Sequence, residues 1–244
     1  MRRFTLPPEP LAGGRVTFDA GESRHLARVL RLRPGDTIVA TDGSGRDFTV
    51  RLESVGEAVT GTVLAETVGV PASPLAVTLI QGVPKGDKME TIVRAATELG
   101  VARVRPALCA RTIVRLEPGR WRDRARRWQR VAREAAKQCG RAVIPEIEPP
   151  RPLAEWLADA EPADLALCLW EGDGTPLGRL LGAVTSPRSA LVVVGPEGGL
   201  DGAEVETARA RGLTVTSLGP RILRTETAGP AIVAILQSRF GDLG

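Results

Sequence analysis

The stretch Leu191-Val192-Val193-Val194-Gly195-Pro196-Glu197-Gly198-Gly199, answered by Leu218-Gly219-Pro220-Arg221-Ile222-Leu223-Arg224-Thr225-Glu226-Thr227-Ala228, decides the fold of this chain. Each is an apolar run that meets glycine and gives way to a helical pattern. Asp201 and Glu204 form a capping box that opens the helix after the first loop, and Gly212 closes it. Leu213 to Leu218 is the strand that follows. Thr225 or Thr227 caps a last apolar helix through Ile232, Ile235 and Leu236, with Pro230 tolerable only in its first turn. Two such strand–loop–helix units suit an open α/β sheet, whose ligand crevice lies beyond the carboxyl ends of its strands.

Upstream the same alternation holds. Leu75 to Gln81 reads as a strand. Asp87 and Glu90 read as a second capping box, opening a helix with the apolar face Met89, Ile92, Val93, Ala96 and Leu99 that Gly100 ends. Val101 to Val104 restarts a strand. Trp121, Ala125, Trp128, Ala132, Ala135 and Cys139 make the apolar stripe of another helix, whose other faces carry Arg122, Arg124, Arg126, Arg127, Arg130 and Arg133. A short helix around Leu153 to Leu157, a buried strand Leu165 to Trp170, the turn Glu171-Gly172-Asp173-Gly174 and a helix from Pro176 complete the series. Alternating strands and helices over residues 74–244 predict a parallel sheet with helical crossovers.

Residues 1–70 follow another pattern. Strands are expected at Arg15 to Phe18, Thr37 to Thr41, Asp47 to Val55 and Gly61 to Glu66, with a hairpin tip at Asp42-Gly43-Ser44-Gly45 and a helix opened by Ser23. This predicts a small barrel-like domain. Val70-Pro71-Ala72-Ser73-Pro74 has linker composition and marks the boundary.

Of 244 residues, 43% are hydrophobic and 25% charged, enough for a soluble globular protein with a real core. The net charge is only +4, but Arg115 to Arg141 holds ten basic residues against three acidic ones. A concentrated basic region on a near-neutral body is the footprint of a nucleic-acid partner. Most of the basic residues are arginine, whose planar fork suits phosphate. Cys109, Cys139 and Cys168 are far apart, without metal-ligand spacing, and His25 is the only histidine. No zinc site is expected, and the thiols are read as reduced. His25, flanked by Arg24, Arg28 and Arg31, reads as a structural or RNA-facing group rather than a general base. Gly172-Asp173-Gly174 lacks the third glycine of a dinucleotide fingerprint. Met1-Arg2-Arg3-Phe4 leads into no apolar signal region, and no run approaches the roughly 20 apolar residues of a membrane span. A cytoplasmic protein is expected.

With these pieces in hand, the chain resembles the bacterial 16S ribosomal RNA uracil-N3 methyltransferases of the SPOUT superfamily. Besides the two glycine-bearing loops, the matching segments are Met1 to Phe4, His25 with Val29 to Arg31, Lys85-Gly86-Asp87-Lys88-Met89-Glu90, Thr97 to Val101, and Gln138 with Arg141. The resemblance implies a PUA-like RNA-binding β-barrel over residues 1–70, followed over 74–244 by a trefoil-knotted α/β methyltransferase domain. It implies S-adenosylmethionine as cofactor, leaving as S-adenosylhomocysteine, and no metal. That cofactor would be held by Leu169, Gly195, Glu197, Gly199, Leu218, Gly219, Ile222 and Leu223. It also implies a homodimer joined through the last helix.

Methylation at uracil N3 needs the loss of a proton and control of negative charge on the base. Arg224 is assigned to that charge, and Glu226 to orienting Arg224 or relaying the proton. The phosphates of 16S RNA or of the small ribosomal subunit are assigned to Arg2, Arg3, His25, Arg28, Arg31, Lys85, Arg122, Arg126, Arg130, Arg133 and Arg141. Two alternatives stay open at this point: a non-catalytic RNA-binding or ribosome-assembly factor, and a knotted enzyme acting on transfer RNA.

Overall fold

The computed structural model describes residues 3–6 and 13–244, which divide into two compact units. The first comprises the described residues up to Ala72 together with Arg133–Ile144; the second comprises Ser73–Ala132 and Pro145–Gly244.

In the first unit, β1 (Arg3–Thr5), β2 (Arg15–Thr17), β3 (Thr37–Thr41), β4 (Arg46–Ser54) and β5 (Thr60–Val68) form one sheet in the order β1-β3-β4-β5-β2, with α1 (Ala20–Arg24) after β2. Only β1 and β3 run parallel. Phe48, Val50 and Leu52 alternate along β4 and meet Phe4, Val16, Phe18 and Leu26 in the core, as the period of two requires. α1 starts earlier than the sequence indicated: the Asp19 carboxylate accepts from the Glu22 backbone N–H at 2.9 Å. The Ser23 hydroxyl instead donates to the Phe18 carbonyl and accepts from the Val59 N–H. α1 passes into a π-helical turn, His25–Val29, and Arg31 beyond it takes φ +54°, a left-handed conformation usually left to glycine.

The inclusion of Arg133–Ile144 was not visible from the linear order. Lys137 Nζ lies 2.6 Å from the buried Glu22 carboxylate, the Thr41 hydroxyl donates to the Ala142 carbonyl, and Ile144 N–H donates to Gly43 at 3.1 Å. Burial pushes the Lys137 ammonium down, but Glu134 and Glu22 outweigh it and hold it above its ordinary value.

The second unit contains β6 (Ala76–Gly82), α2 (Lys88–Glu98), β7 (Arg103–Leu108), most of α3 (Pro118–Cys139), β8 (Glu146–Ile147), β9 (Arg151–Pro152), α4 (Leu153–Ala158), β10 (Leu165–Leu169), β11 (Thr175–Pro176), α5 (Leu177–Gly182), β12 (Ser189–Val194), α6 (Gly202–Ala210), β13 (Thr214–Ser217) and α7 (Thr225–Phe240). The sheet is parallel throughout, ordered β11-β13-β10-β12-β6-β7-β8, with β9 also on β7. Its central strands are buried on both faces: Leu79 and Val192 face the core with α2 and α7, and Ile80 and Val193 face the core with α4 and α6.

Several local expectations are corrected. The Asp201–Glu204 capping box is present, whereas Asp87 caps nothing; Asp87 and Glu90 both turn to Arg127, whose Nε lies 2.6 Å from Glu90. Neither Thr225 nor Thr227 caps α7, whose N-cap is Arg224 without a side-chain bond. Pro230 lies in the second turn of α7, so the Glu226 carbonyl lacks the N–H it would otherwise receive. Cys139 ends α3 exposed to solvent rather than on its apolar stripe. Cys109 and Cys168 are buried, and desolvation pushes the Cys168 thiol up to about 12. Among the described residues, no helix is long and apolar enough to cross a membrane and no cluster of side chains is placed to hold a metal ion.

Candidate active site

Because β13, β10 and β12 are neighbours in the sheet, the loops at their carboxyl ends emerge side by side. They enclose a cavity of about 600 Å³, within the size range of cofactor sites. Leu169, Gly195, Glu197, Gly199, Leu218, Gly219, Ile222 and Leu223 all line it, as do Arg224 and Glu226.

Glycine is required at two points in this wall. At Gly195 a Cβ would stand 2.9 Å from the Gly199 carbonyl carbon and from the Leu200 nitrogen, because the loop doubles back on itself. Gly199 adopts φ +71° and a Cβ there would lie 2.6 Å from the Glu171 carboxylate. The turn is closed by Gly199 N–H donating to Pro196, and braced from outside by Arg111, which donates to the Gly198 carbonyl at 2.8 Å.

Beneath the loops lies Gln81, fully buried at the end of β6. Its side-chain amide donates to the Thr225 hydroxyl at 2.9 Å, and that hydroxyl donates to the Gly195 carbonyl at 2.7 Å. Thr225 therefore ties the start of α7 to the glycine loop. Gly229, one turn on, leaves room for Gln81: a Cβ there would meet the amide oxygen at 2.6 Å.

Charge gathers on one side of the cavity. Glu197 accepts the Lys85 backbone N–H at 3.1 Å and pairs with the Lys88 ammonium at 3.0 Å. Burial pushes the Glu197 carboxyl up, but hydrogen bonds from backbone N–H groups and from Lys88 outweigh it and hold it below the usual carboxylate range. The hydrogen bond that Lys88 donates to Glu197 in turn raises the Lys88 ammonium above its ordinary value. Glu226 faces the same ammonium, its Oε2 buried without a hydrogen-bond partner and 3.5 Å from Lys88 Nζ. Arg224 is exposed, and Ile222 is 84% exposed at the rim.

Lys88, Glu171, Gln81 and Thr225 were missed as site residues. Lys88 reads as an ordinary helix-opening charge, and Gln81 as the polar end of a strand. Their signal was positional: each stands within a few residues of a glycine or at a strand end.

The residues assigned to phosphate are dispersed. In the first unit Arg3 is held internally, 2.7 Å from Asp47 and donating to the Gly140 carbonyl. His25 meets Phe4 edge to face, and Arg28 and Arg31 are exposed. Arg133 is half-buried with Nε unpartnered, and Arg141 is also half-buried. In the second unit Lys85 is exposed, while α3 exposes Arg122, Arg126 and Arg130; Arg126 pairs with Asp123. Arg2 lies outside the described residues.

Residues 71–237 match the family model described as an RNA methyltransferase domain, and residues 18–62 match an RNA methyltransferase PUA domain. Two proteins named ribosomal RNA small subunit methyltransferase E are similar along most of their length. The one from Synechocystis is 36% identical over 95% of this chain and 76% of its own length; the one from Bacillus subtilis is 33% identical over 85% and 83%. The chain belongs to the ribosomal RNA small subunit methyltransferase E family. Among solved structures, a methyltransferase E from Neisseria gonorrhoeae bound to S-adenosylmethionine is 35% identical, with a TM-score of 0.88 over 100% of both chains. A Legionella pneumophila structure in complex with the same cofactor is 29% identical, with a TM-score of 0.91 over 99% of this chain and 98% of that one. The PUA match thus falls within the first unit, and the three-loop cavity lies within the stretch that matches the methyltransferase domain.

Proposed function

We propose that this chain transfers a methyl group from S-adenosylmethionine to N3 of one uridine of 16S ribosomal RNA in the small subunit. The observation that carries this is the cavity at the three strand ends, walled by a tight glycine loop with no room for a Cβ at Gly195 or Gly199, in a chain of this family. Its size and glycine-lined wall fit the cofactor: backbone at Leu169, Leu218, Gly219, Ile222 and Leu223 can approach an adenine closely, and Gly195 and Gly199 admit the rest. When bound, S-adenosylmethionine supplies an electrophilic sulfonium methyl.

The chain's own residues handle alignment and charge. Arg224, at the α7 N-cap, stabilises negative charge on the uracil carbonyls. Glu226 pairs with Lys88 rather than with Arg224, so of its two assigned roles the one left to it is proton acceptor. The uridine reaches the recessed cavity flipped or unpaired. The exposed arginines of α3, with Lys85, Arg28 and Arg31, hold phosphates. The working form is a cytoplasmic homodimer joined through α7, where Ile235 is 39% exposed. The loop before α7 completes a trefoil threading.

The test is mass spectrometry of ribosomal RNA from a strain lacking this protein. One methyluridine should be missing from 16S RNA and should return with the wild-type gene. Arg224→Ala should lose single-turnover methyl transfer with saturating RNA; a normal rate removes Arg224 from the mechanism. Calorimetry showing no cofactor binding would point instead to an assembly factor.

A further inference from the structure

The ammonium of Lys88 is held between two carboxylates that come from different loops. Glu197, on the glycine loop, stands 3.0 Å away, and Glu226, on the first turn of α7, stands 3.5 Å away. Lys88 itself opens α2, and the Lys85 backbone just before it is pinned to the same Glu197. Three segments far apart in sequence thus converge on one cation in the cavity wall. A lysine tethered only to stabilise the loop would be satisfied by Glu197 alone. Its second contact is with a carboxylate oxygen that is buried and has no hydrogen-bond partner. An ammonium has three donors; Glu197 pairs with it at 3.0 Å, whereas the Glu226 oxygen at 3.5 Å receives no hydrogen bond, so donors remain for a carbonyl oxygen.

We propose that Lys88 is a catalytic residue that neutralises the nucleobase as its N3 proton leaves. This role rests on the uracil N3 reading above. In the step it serves, the N3–H bond breaks and the proton passes to the Glu226 carboxylate. The freed N3 electron pair forms the new bond to the methyl carbon, and the electrons of the broken carbon–sulfur bond stay on sulfur. Before the step Glu226 carries the negative charge beside Lys88; afterwards the base carries it until methylation. Lys88 meets Glu226 only at 3.5 Å and without a hydrogen bond. A hydrogen bond from its ammonium to a uracil carbonyl therefore stabilises the charge more strongly once the base carries it, and that difference is what accelerates the step. Glu197 keeps that cation in position.

The experiment compares uridine with 5-fluorouridine, whose N3 proton is more acidic, in small subunits reconstituted on 16S RNA transcribed with one or the other. Lys88→Gln should slow single-turnover methylation of the uridine substrate about a hundredfold, the loss typical of removing one preorganised donor. With 5-fluorouridine the loss should shrink to about tenfold or less, because the base needs less help to carry charge. Cofactor affinity by calorimetry should change by less than about threefold, since the cation acts on the base and not on the donor. Lys88→Arg keeps the charge and should restore most of the rate and the wild-type ratio between the two substrates. An equal loss on both substrates, a normal rate in Lys88→Gln, a collapse of cofactor binding, or a Lys88→Arg variant as slow as Lys88→Gln would each overturn the assignment. If the wild-type protein leaves N3 unmethylated, the functional reading fails instead, and the two failures are told apart by that control.

Discussion

Replacing Thr225 by valine removes one hydroxyl and keeps the shape, so it isolates the tie between α7 and the glycine loop. The hydroxyl takes part in two buried hydrogen bonds, donating to the Gly195 carbonyl at 2.7 Å and accepting from Gln81 at 2.9 Å. Gln81 has weaker alternatives at 3.2 Å to Gly82 and 3.4 Å to Gly195, so its amide is only partly stranded. Two lost bonds at about 1 kcal/mol each, plus the cost of underserved buried groups, predict a destabilisation of about 2–4 kcal/mol. For a unit of this size that corresponds to a fall in melting temperature of roughly 4–15 °C by calorimetry. Thr225→Ser keeps the hydroxyl and should lose only about 1 kcal/mol, the value of a buried methyl. Because Gly195 lines the cavity, Thr225→Val should also weaken cofactor binding, and Thr225→Ser should not. A Thr225→Val protein as stable as Thr225→Ser, with unchanged affinity, would refute the idea that this hydroxyl anchors the loop.

Gly229→Ala should destabilise the protein by about 1–3 kcal/mol through the clash with Gln81, although the same change in an open helix stabilises by up to about 1 kcal/mol; a rise in melting temperature on denaturation would contradict the packing. Since Glu197 is held below its ordinary value of 4.5, its contribution is complete above that pH and is lost as pH falls through the lower folded-state value. The difference in melting temperature between wild type and Glu197→Gln should therefore shrink below about pH 4.5 and stay constant above it. RNA affinity should fall steeply with salt, and Arg130→Ala should lower the slope of log affinity against log salt by about 0.7, one phosphate's worth for single-stranded RNA; an unchanged slope in filter-binding titrations would remove Arg130 from the interface.

Much of the second unit could be read from its sequence because its central strands are buried on both faces, and continuous apolar runs such as Leu191 to Val194 have few other uses. Glycines at the ends of those runs then located the cavity. Elements whose identity depends on a distant partner were hidden. Asp87 and Glu90 have the spacing of a capping box, but a guanidinium forty residues away draws both carboxylates off. Thr225 looks like a cap until the Gly195 carbonyl is seen beside it. β1 is a three-residue strand that exists only because β3 lies alongside. The end of α3 joined the first unit through Lys137 and Glu22, an ion pair with no local signature. Lys88 escaped notice for the same reason, since a lysine opening a helix says nothing of two carboxylates supplied by later loops.

The pairing of β6 with β12 has a consequence for how the protein is made. β6 can fold early against β7, which follows it closely through α2, but its other edge pairs with Ser189–Val194. Translation must pass the whole of α3 and β10 before that partner emerges, which at about 5–20 residues per second leaves an apolar, unpaired strand edge exposed for several seconds. Nascent chains stalled shortly before Ser189 should therefore be aggregation-prone and bind chaperones, and stalling far enough beyond Val194 for that strand to have left the ribosome should relieve it.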